Sequence, residues 1–184
     1  RVLKNNDAEA VMHVLDLGVQ GVLIPHCRTV DDARALRTAA MYSPEGNRGF
    51  GPARGMKWGR VSSEDYFREI NDTVALLALV EDIEGVENIE EIAGSGLLDV
   101  LWVGTGDLAM AYGHPGERDH PEVKAAAERI LAACLEHGVA AGYPARTPEE
   151  AVWAAEQGYR AIGYAGAEAY VMKQSRVFLD AVGR

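Results

Sequence analysis

The sequence predicts an α/β fold in which short parallel strands alternate with helices. Five apolar runs interrupt the 184 residues, and each ends in glycine, proline or a polar residue. Because these runs are apolar continuously rather than at every second position, both of their faces are predicted to be buried, as in a parallel sheet covered by helices. The predicted strands are residues 21–25, 74–81, 98–104, 139–143 and 160–164.

The segments between the strands carry recognisable helix ends. Thr29 is a predicted N-cap with two carboxylates in the turn after it, and Pro121 and Pro148 stand at first helical positions, where a missing N–H costs nothing. Gly18 and Gly158 come after the last turns of two helices, as C-terminal glycines do. The predicted helices are residues 8–17, 33–41, 84–93, 120–135, 147–157 and 167–182.

Repeated strand–helix units form either an open doubly wound sheet or a closed (β/α)8 barrel. An open sheet normally carries a glycine-rich phosphate loop after its first strand, and Pro25-His26-Cys27 is not one. A barrel needs eight units, whereas five are predicted here, and the chain opens on an apparent strand end, Arg1-Val2-Leu3. We therefore expect a single domain over residues 1–184 of TIM-barrel type, with about the first three βα units absent. A short sheet of five strands is the alternative.

Composition and charge exclude several classes of protein. The chain has 18 basic and 28 acidic residues and a net charge of −10, which disfavours binding to nucleic acid or to an anionic membrane surface. Its most apolar stretch, residues 73–80, is far shorter than the ~20 residues of a membrane span. The two cysteines lack CxxC spacing, which argues against a disulfide scaffold and a structural zinc site. The opening residues 1–7 are polar, and a cytoplasmic protein is expected.

Two carboxylates come after neighbouring predicted strands. Glu81 ends the run before it, and Asp107 comes directly after the Gly104-Thr-Gly segment. The carboxyl ends of parallel strands meet at one edge of a sheet, so both side chains are expected to face the same volume. Oxygen ligands suit a hard divalent ion such as Mg²⁺ or Mn²⁺. A surface acid at Glu81, a helix N-cap at Asp107 and a metal-free acid–base pair are the alternatives.

Arg48 lies in a glycine-rich loop, residues 42–55. Because guanidinium groups bind carboxylates bidentately, we predict that Arg48 clamps a substrate carboxylate, a solvated basic loop being the alternative. The histidines are weaker candidates. His26 ends a strand and is expected to pack or to support a neighbouring group, and the other four are expected to be structural or exposed.

Several motifs, in this order and spacing, resemble those of the HpcH/HpaI aldolase family, in particular its 2-oxo-acid aldolase branch. The resemblance covers nearly the whole chain. Its motifs are Leu23-Ile-Pro25, the segment 42–49 with Arg48 and Gly49, Val80-Glu81 with Asn88 seven residues later, the segment 104–108 with Asp107, and the His120-Pro121-Glu122-Val123 run.

The resemblance implies a metal-dependent (class II) aldolase that cleaves a 4-hydroxy-2-oxo acid to pyruvate and an aldehyde. Glu81 and Asp107 then take the metal-ligand positions, for Mg²⁺, Mn²⁺ or Co²⁺, and Arg48 takes that of the catalytic arginine that contacts the pyruvate oxygen. Gly106, with Asp107, takes the position that holds the pyruvate carboxylate. Leu79 departs from the family, which often has Gln there, and the family's catalytic His lies on a segment that this chain does not contain.

The resemblance also implies a (β/α)8 barrel and a homo-oligomer, usually a hexamer with an exchanged C-terminal helix. Two other functions stay open at this point. One is a CoA-thioester lyase of the citrate lyase β type, which requires basic residues near the mouth of the barrel, and the sequence reveals no such cluster. The other is a non-catalytic remnant that binds metal or an oxo acid.

Overall fold

A computed structural model describes residues 1–51, 54–164 and 166–184. Within these residues, five strands form one parallel sheet in the order β1-β2-β3-β4-β5. Each predicted strand is present, and its ends agree to within two residues. The strands are β1 (Gly21–Ile24), β2 (Ala75–Val80), β3 (Val100–Val103), β4 (Ala140–Ala145) and β5 (Ala161–Tyr164).

The described residues form nine helices, and all six predicted helical segments are among them. The predicted segment 84–93 is two short helices that meet at Asn88, and the sequence does not predict α3 and α6. The helices are α1 (Ala8–Asp16), α2 (Val30–Ala40), α3 (Ser63–Thr73), α4 (Ile83–Glu87), α5 (Ile89–Gly94), α6 (Thr105–Ala111), α7 (Pro121–His137), α8 (Pro148–Gln157) and α9 (Ala167–Ala181).

The predicted helix ends agree with the structure. Thr29 and Asp32 form a capping box at the start of α2, and the Thr147 hydroxyl accepts a hydrogen bond from Glu150 N at the start of α8. Gly158 ends α8 with a left-handed φ of 107°. These local signals fix where each helix begins and ends, and so the direction in which the chain returns to the sheet.

The sheet buries one face beneath the helices. Leu76, Ala78 and Val80 of β2 are fully buried in the main core, whereas Ala75 and Leu77, which point the other way, are half-buried. Leu79, on the same face as Leu77, is 7% exposed, so the predicted burial of both faces holds at the carboxyl end of β2, although helices of the described residues cover one face only. Sequential parallel strands joined by crossovers of one hand place every helix on the same side, so the sheet curls into a half-barrel.

The curled sheet has two edges that are formed by different loops. The carboxyl edge, where the strands end, carries the loops that run from a strand to a helix, and the amino edge, where the strands begin, carries those that run from a helix to a strand. Val2 extends the sheet beyond β1, because its N–H donates to Leu23 O at 3.0 Å. Among the described residues, no helix combines the length and apolarity needed to cross a membrane.

Candidate metal and substrate site

Glu81 and Asp107 both lie at the carboxyl edge of the sheet. Glu81 directly follows β2, and Gly104 follows the neighbouring strand β3, with Val80 and Val103 in register. The chain then turns into α6, which carries Asp107 in its first turn. The Glu81 side chain is 3% exposed, and exposed Asp107 lies near enough for its carboxylate to raise the pKa of Glu81.

His26 is the group that supports Glu81. It follows β1, takes a left-handed φ of 52°, and its backbone N–H donates to Glu81 Oε1 at 2.9 Å. The His26 ring Nδ1 lies 3.5 Å from the same oxygen and 3.1 Å from Asp82 Oδ2. Its supporting role agrees with the expectation from the sequence, although sequence alone did not indicate the contact with Glu81.

The two adjacent acids have pKa values shifted in opposite directions. Burial raises the pKa of Glu81, and the Asp107 carboxylate raises it further, while the N–H and ring of His26 oppose the shift. The pKa of Asp82 is lowered although burial opposes this, because Arg28 and His26 donate to its carboxylate. Arg28 Nη2 lies 3.2 Å from Asp82 Oδ1. The negative charge of Asp82 is therefore offset by Arg28 and His26, whereas that of Glu81 is offset by His26 alone among these residues and is opposed by Asp107.

Gly104 makes room for the Glu81 side chain. A Cβ atom on Gly104 would lie 2.4 Å from Glu81 Cβ and 2.9 Å from Glu81 Oε2, so any side chain there would displace the carboxylate. The site therefore offers two neighbouring carboxylates, one of them buried and the other exposed. This donor set fits a hard divalent cation that retains water and accepts substrate oxygens.

A cavity of about 420 Å³ opens at the carboxyl edge of β3, β4 and β5. The sequence did not indicate the two arginines that line it. Arg118 reaches back to α6, because a Cβ on Gly106 would lie 3.1 Å from Arg118 Nη2. Arg146 is held by Asp119 at 3.1 Å and by Glu150 at 3.0 Å. The cavity is lined by Trp102, Arg118, Pro144, Ala145, Arg146, Gly163 and Tyr164.

In the structure Arg48 lies apart from Glu81 and Asp107, and its role as a catalytic and substrate-binding residue stays a prediction. Its side chain is 1% exposed, and Nη2 forms an ion pair of 2.6 Å with Asp16 Oδ1, in the last residue of α1. The guanidinium carbon lies 4.6 Å from the centre of the Tyr42 ring. Arg48 therefore anchors the glycine-rich loop against α1. Pro52 and Ala53 of that loop lie outside the described residues.

The position of Arg48 is a consequence of the order of elements. A cavity of about 380 Å³ that it lines also includes Gln20 and Val74, which directly precede β1 and β2. Arg48 is thus at the amino edge, whereas Glu81 is at the carboxyl edge. The six residues of β2 separate the two edges by roughly 20 Å. In this structure Arg48 therefore lies beyond the reach of a ligand held by Glu81.

Comparison with protein families matches residues 1–169 to the model described as HpcH/HpaI aldolase/citrate lyase. The curated proteins similar to this chain include 2-keto-3-deoxy-L-rhamnonate aldolase of Shigella boydii serotype 4 (strain Sb227), 37% identical over 143 residues. The match covers 77% of this chain and 53% of that protein, so the chain spans about half the length of the curated relatives it matches.

Solved structures agree with this assignment. A HpcH/HpaI aldolase/citrate lyase family protein from Burkholderia cenocepacia J2315 superposes with a TM-score of 0.85 at 32% identity, over 97% of this chain and 71% of that one. A HpcH/HpaI aldolase from Desulfitobacterium hafniense DCB-2 gives a TM-score of 0.88 at 26% identity, over 96% and 68%.

Proposed function

The chain belongs to the HpcH/HpaI aldolase/citrate lyase family, and on that premise we propose that it carries the metal site of a class II aldolase. The reaction is cleavage of a 4-hydroxy-2-oxo acid to pyruvate and an aldehyde. The observation that carries the proposal is the buried Glu81 carboxylate, set beside Asp107 at the carboxyl edge of the sheet. In parallel α/β barrels, this edge is where catalytic groups lie.

Glu81 and Asp107 would hold the divalent ion, which is Mg²⁺, Mn²⁺ or Co²⁺ in this proposal. When bound, the ion supplies Lewis-acid stabilisation of the negative charge that develops on the keto oxygen. The His26 N–H fixes Glu81 Oε1 in place, and Gly104 keeps the adjoining space free. Both devices preorganise the carboxylate before ligand arrives, which lowers the cost of binding.

The substrate would lie between this pair and the cavity beside it. Gly106 and Asp107 occupy the first turn of α6, and Gly106 faces the Arg118 guanidinium. These three residues form the proposed contact with the substrate carboxylate. In this proposal the Arg118 guanidinium supplies the positive charge beside the substrate carboxylate, a role for which the sequence predicted Arg48. The half-buried indole of Trp102 forms part of the wall against which the aldehyde portion packs.

Pyruvate release from a 4-hydroxy-2-oxo acid, followed with a coupled dehydrogenase in the protein at its full natural length, tests the function. We expect EDTA to abolish release, Mg²⁺, Mn²⁺ or Co²⁺ to restore it, and Glu81→Gln to prevent the restoration. Glu84→Gln, an exposed acid three residues later, is the matched control and is expected to leave release unchanged. EDTA-resistant release, with a pyruvate adduct trapped by borohydride, would instead indicate a lysine-based aldolase.

One observation favours a CoA-thioester lyase as a second candidate. The structure brings Arg118 and Arg146 to the mouth, although no basic cluster is visible in the sequence. Arg146 is already neutralised by Asp119 and Glu150, however, and this makes the cluster poor for a nucleotide. Competition by CoA against pyruvate binding separates the two functions, and strong competition would favour the lyase.

We also propose that the chain assembles into a homo-oligomer through α9, a hexamer in keeping with the family. The helix has no buried residue, although large apolar side chains lie along it. Packing them on a neighbouring subunit would remove this surface from water. Sedimentation that finds only a 19.8 kDa species would contradict the proposal. The exposed apolar side chains are Tyr170, Val171, Met172, Val177, Phe178, Leu179 and Val182.

A further inference from the structure

We propose that His114, His120 and Glu122 form a second metal site, for a divalent ion of the Zn²⁺ class, at the junction of the α6–α7 loop with α7. The three ligand atoms all lie within 4.8 Å of one another. Two imidazoles and one carboxylate suit Zn²⁺ and related transition-metal ions, whereas Mg²⁺ prefers oxygen ligands alone. The site shares no residue with Glu81 and Asp107, so its metal binding can be tested separately from the aldolase proposal.

The geometry converges on one carboxylate oxygen. Glu122 Oε2 lies 2.6 Å from His114 Nε2 and 3.6 Å from His120 Nδ1. In a tetrahedral zinc site with bonds of about 2.0–2.1 Å, neighbouring ligand atoms are about 3.4 Å apart. The two observed separations bracket that value, so the distances to Glu122 suit one ion once the two rings turn their lone pairs towards it.

The two imidazoles stack beside Glu122, and each ring has to rotate out of the stack to aim its in-plane lone pair at a shared ion. Their ring centres are 3.4 Å apart and their planes are inclined by 22°, so the rings present their nitrogen edges to the same side chain. Both rings are about three-quarters buried, at 27% and 26% exposure, whereas Glu122 is 57% exposed. The open side at Glu122 therefore leaves a coordination position for water.

The backbone fixes the position of each ligand residue before any ion arrives. The N–H of His114 donates to Ala109 O at 2.7 Å, which closes the end of α6. The N–H of His120 donates to Glu117 O at 3.0 Å, and Pro121 then starts α7, with Glu122 in its first turn. The contact that ion binding would replace is a long one, 3.4 Å from Glu122 N to His120 Nδ1. The backbone is therefore fixed in advance, and ion binding would reorient the side chains alone.

An ion bound at the α6–α7 loop would also affect the carboxyl edge of the sheet. Between the two histidines lies Arg118, whose guanidinium packs against Gly106 in α6. An ion that joins His114 to α7 would tie both ends of the segment that carries Arg118. The proposed ion therefore positions Arg118 at the cavity without contacting the substrate.

Calorimetric titration of ZnCl2 into the Glu81→Gln/Asp107→Asn chain tests the site, because these substitutions remove the other candidate ligands. We expect one Zn²⁺ per chain, with affinity lowered at least tenfold by His114→Asn and by Glu122→Gln. Millimolar Mg²⁺ is expected not to compete. His137→Asn is the matched control: His137 belongs to a second three-residue set, with Glu90 and Glu136, that is exposed and contains one histidine.

The absorption spectrum of bound Co²⁺ provides a second measurement that does not depend on a substitution. Intense visible bands, typical of four-coordinate Co²⁺, are expected in the starting chain, and these should persist in His137→Asn. Weak six-coordinate bands would overturn the proposal. So would Zn²⁺ affinity that survives both His114→Asn and Glu122→Gln, or that disappears in His137→Asn. Failure here would leave EDTA-sensitive pyruvate release unaffected, so the two proposals fail separately.

Discussion

The amino and carboxyl edges of the sheet contain buried charges of opposite sign, and they compensate them differently. At the amino edge, Arg48 has its own carboxylate in Asp16 and the face of the Tyr42 ring. At the carboxyl edge, Glu81 lies next to a second carboxylate, with one N–H and the imidazole of His26 to offset it. Arg48 Nε has no hydrogen-bond partner among the described residues, so the contrast lies in the sign of the neighbouring charge. A buried charge that faces an opposite charge indicates a structural role, whereas one set beside a like charge indicates a binding site.

Breaking the pair at the amino edge is expected to have the largest effect on stability. Asp16→Asn leaves the Arg48 guanidinium buried without a counter-charge, which costs about 3–5 kcal/mol. Because Asp16 is 23% exposed, we expect the lower part of this range, as measured by urea unfolding. Asp31→Asn, at an ion pair that is 87% exposed on the acidic side, is the control and should cost under about 1 kcal/mol. Unchanged metal affinity in Asp16→Asn would show that the ion pair at the amino edge stabilises the fold without affecting the metal site.

Glu81→Gln is expected to weaken metal binding and to leave the stability of the fold nearly unchanged. The amide can still accept the hydrogen bond from His26 N, so the fold should be retained, while metal affinity falls by more than the 10–100-fold typical of losing an outer partner. Calorimetric titration with Mn²⁺ measures this, with Glu84→Gln as the control. Equal metal affinity in Glu81→Gln and Glu84→Gln would show that Glu81 is not a metal ligand. That result would contradict the contrast between the two edges.

Gly104 and Gly106, which precede Asp107, test whether crowding against Glu81 determines stability at this edge. Gly104→Ala places a Cβ 2.4 Å from Glu81 Cβ, and the rearrangement is expected to cost about 1–3 kcal/mol. Gly106→Ala meets the flexible end of Arg118 at 3.1 Å and gains helix propensity, so its stability should be unchanged or higher. Thermal unfolding of both variants without metal decides the matter. A cost in Gly106→Ala equal to that in Gly104→Ala would contradict the crowding argument.

The smallest expected effect is on the pH dependence of the metal-free chain. A carboxyl group with a raised pKa binds more protons in the folded state, so its contribution to stability falls as pH rises from its ordinary pKa of 4.5 through the raised value. Asp82, with a lowered pKa, contributes stability above its ordinary value of 3.8 that is lost as pH falls through the lowered one. Glu81→Gln and Asp82→Asn should therefore change the slope of stability against pH in opposite directions, and slopes changed alike would contradict the assignment.

The sequence predicted the fold better than the placement of Arg48. Strand and helix ends are encoded locally, in Thr29, Pro121 and Gly158, so they could be read without the structure. The edge to which a loop belongs depends instead on whether it comes after a helix or after a strand. The Arg48 loop comes after α2 and so lies at the amino edge, while Glu81 and Asp107 come after strands and could be placed correctly.

The unpredicted elements and contacts have physical causes as well. Helix α6 has seven residues, too few for an apolar period to stand out, and α3 buries only Tyr66 among the described residues. The contact between His26 and Glu81 joins residues 55 apart in the sequence. Contacts of this kind arise from the register of neighbouring strands, which a pattern within one segment does not contain.

Trp102 has a consequence for how this protein can vary. Its indole lies across Gly142 on the neighbouring strand β4 and Gly163 on β5, the strand beyond it. A Cβ on Gly142 would come within 2.5 Å of the ring, and one on Gly163 within 2.8 Å. Residues 102, 142 and 163 therefore behave as one unit under mutation: neither glycine can gain a side chain until Trp102 becomes smaller. A protein engineer who wishes to reshape the mouth should begin at residue 102, since a smaller side chain there first makes the other two positions available to substitution.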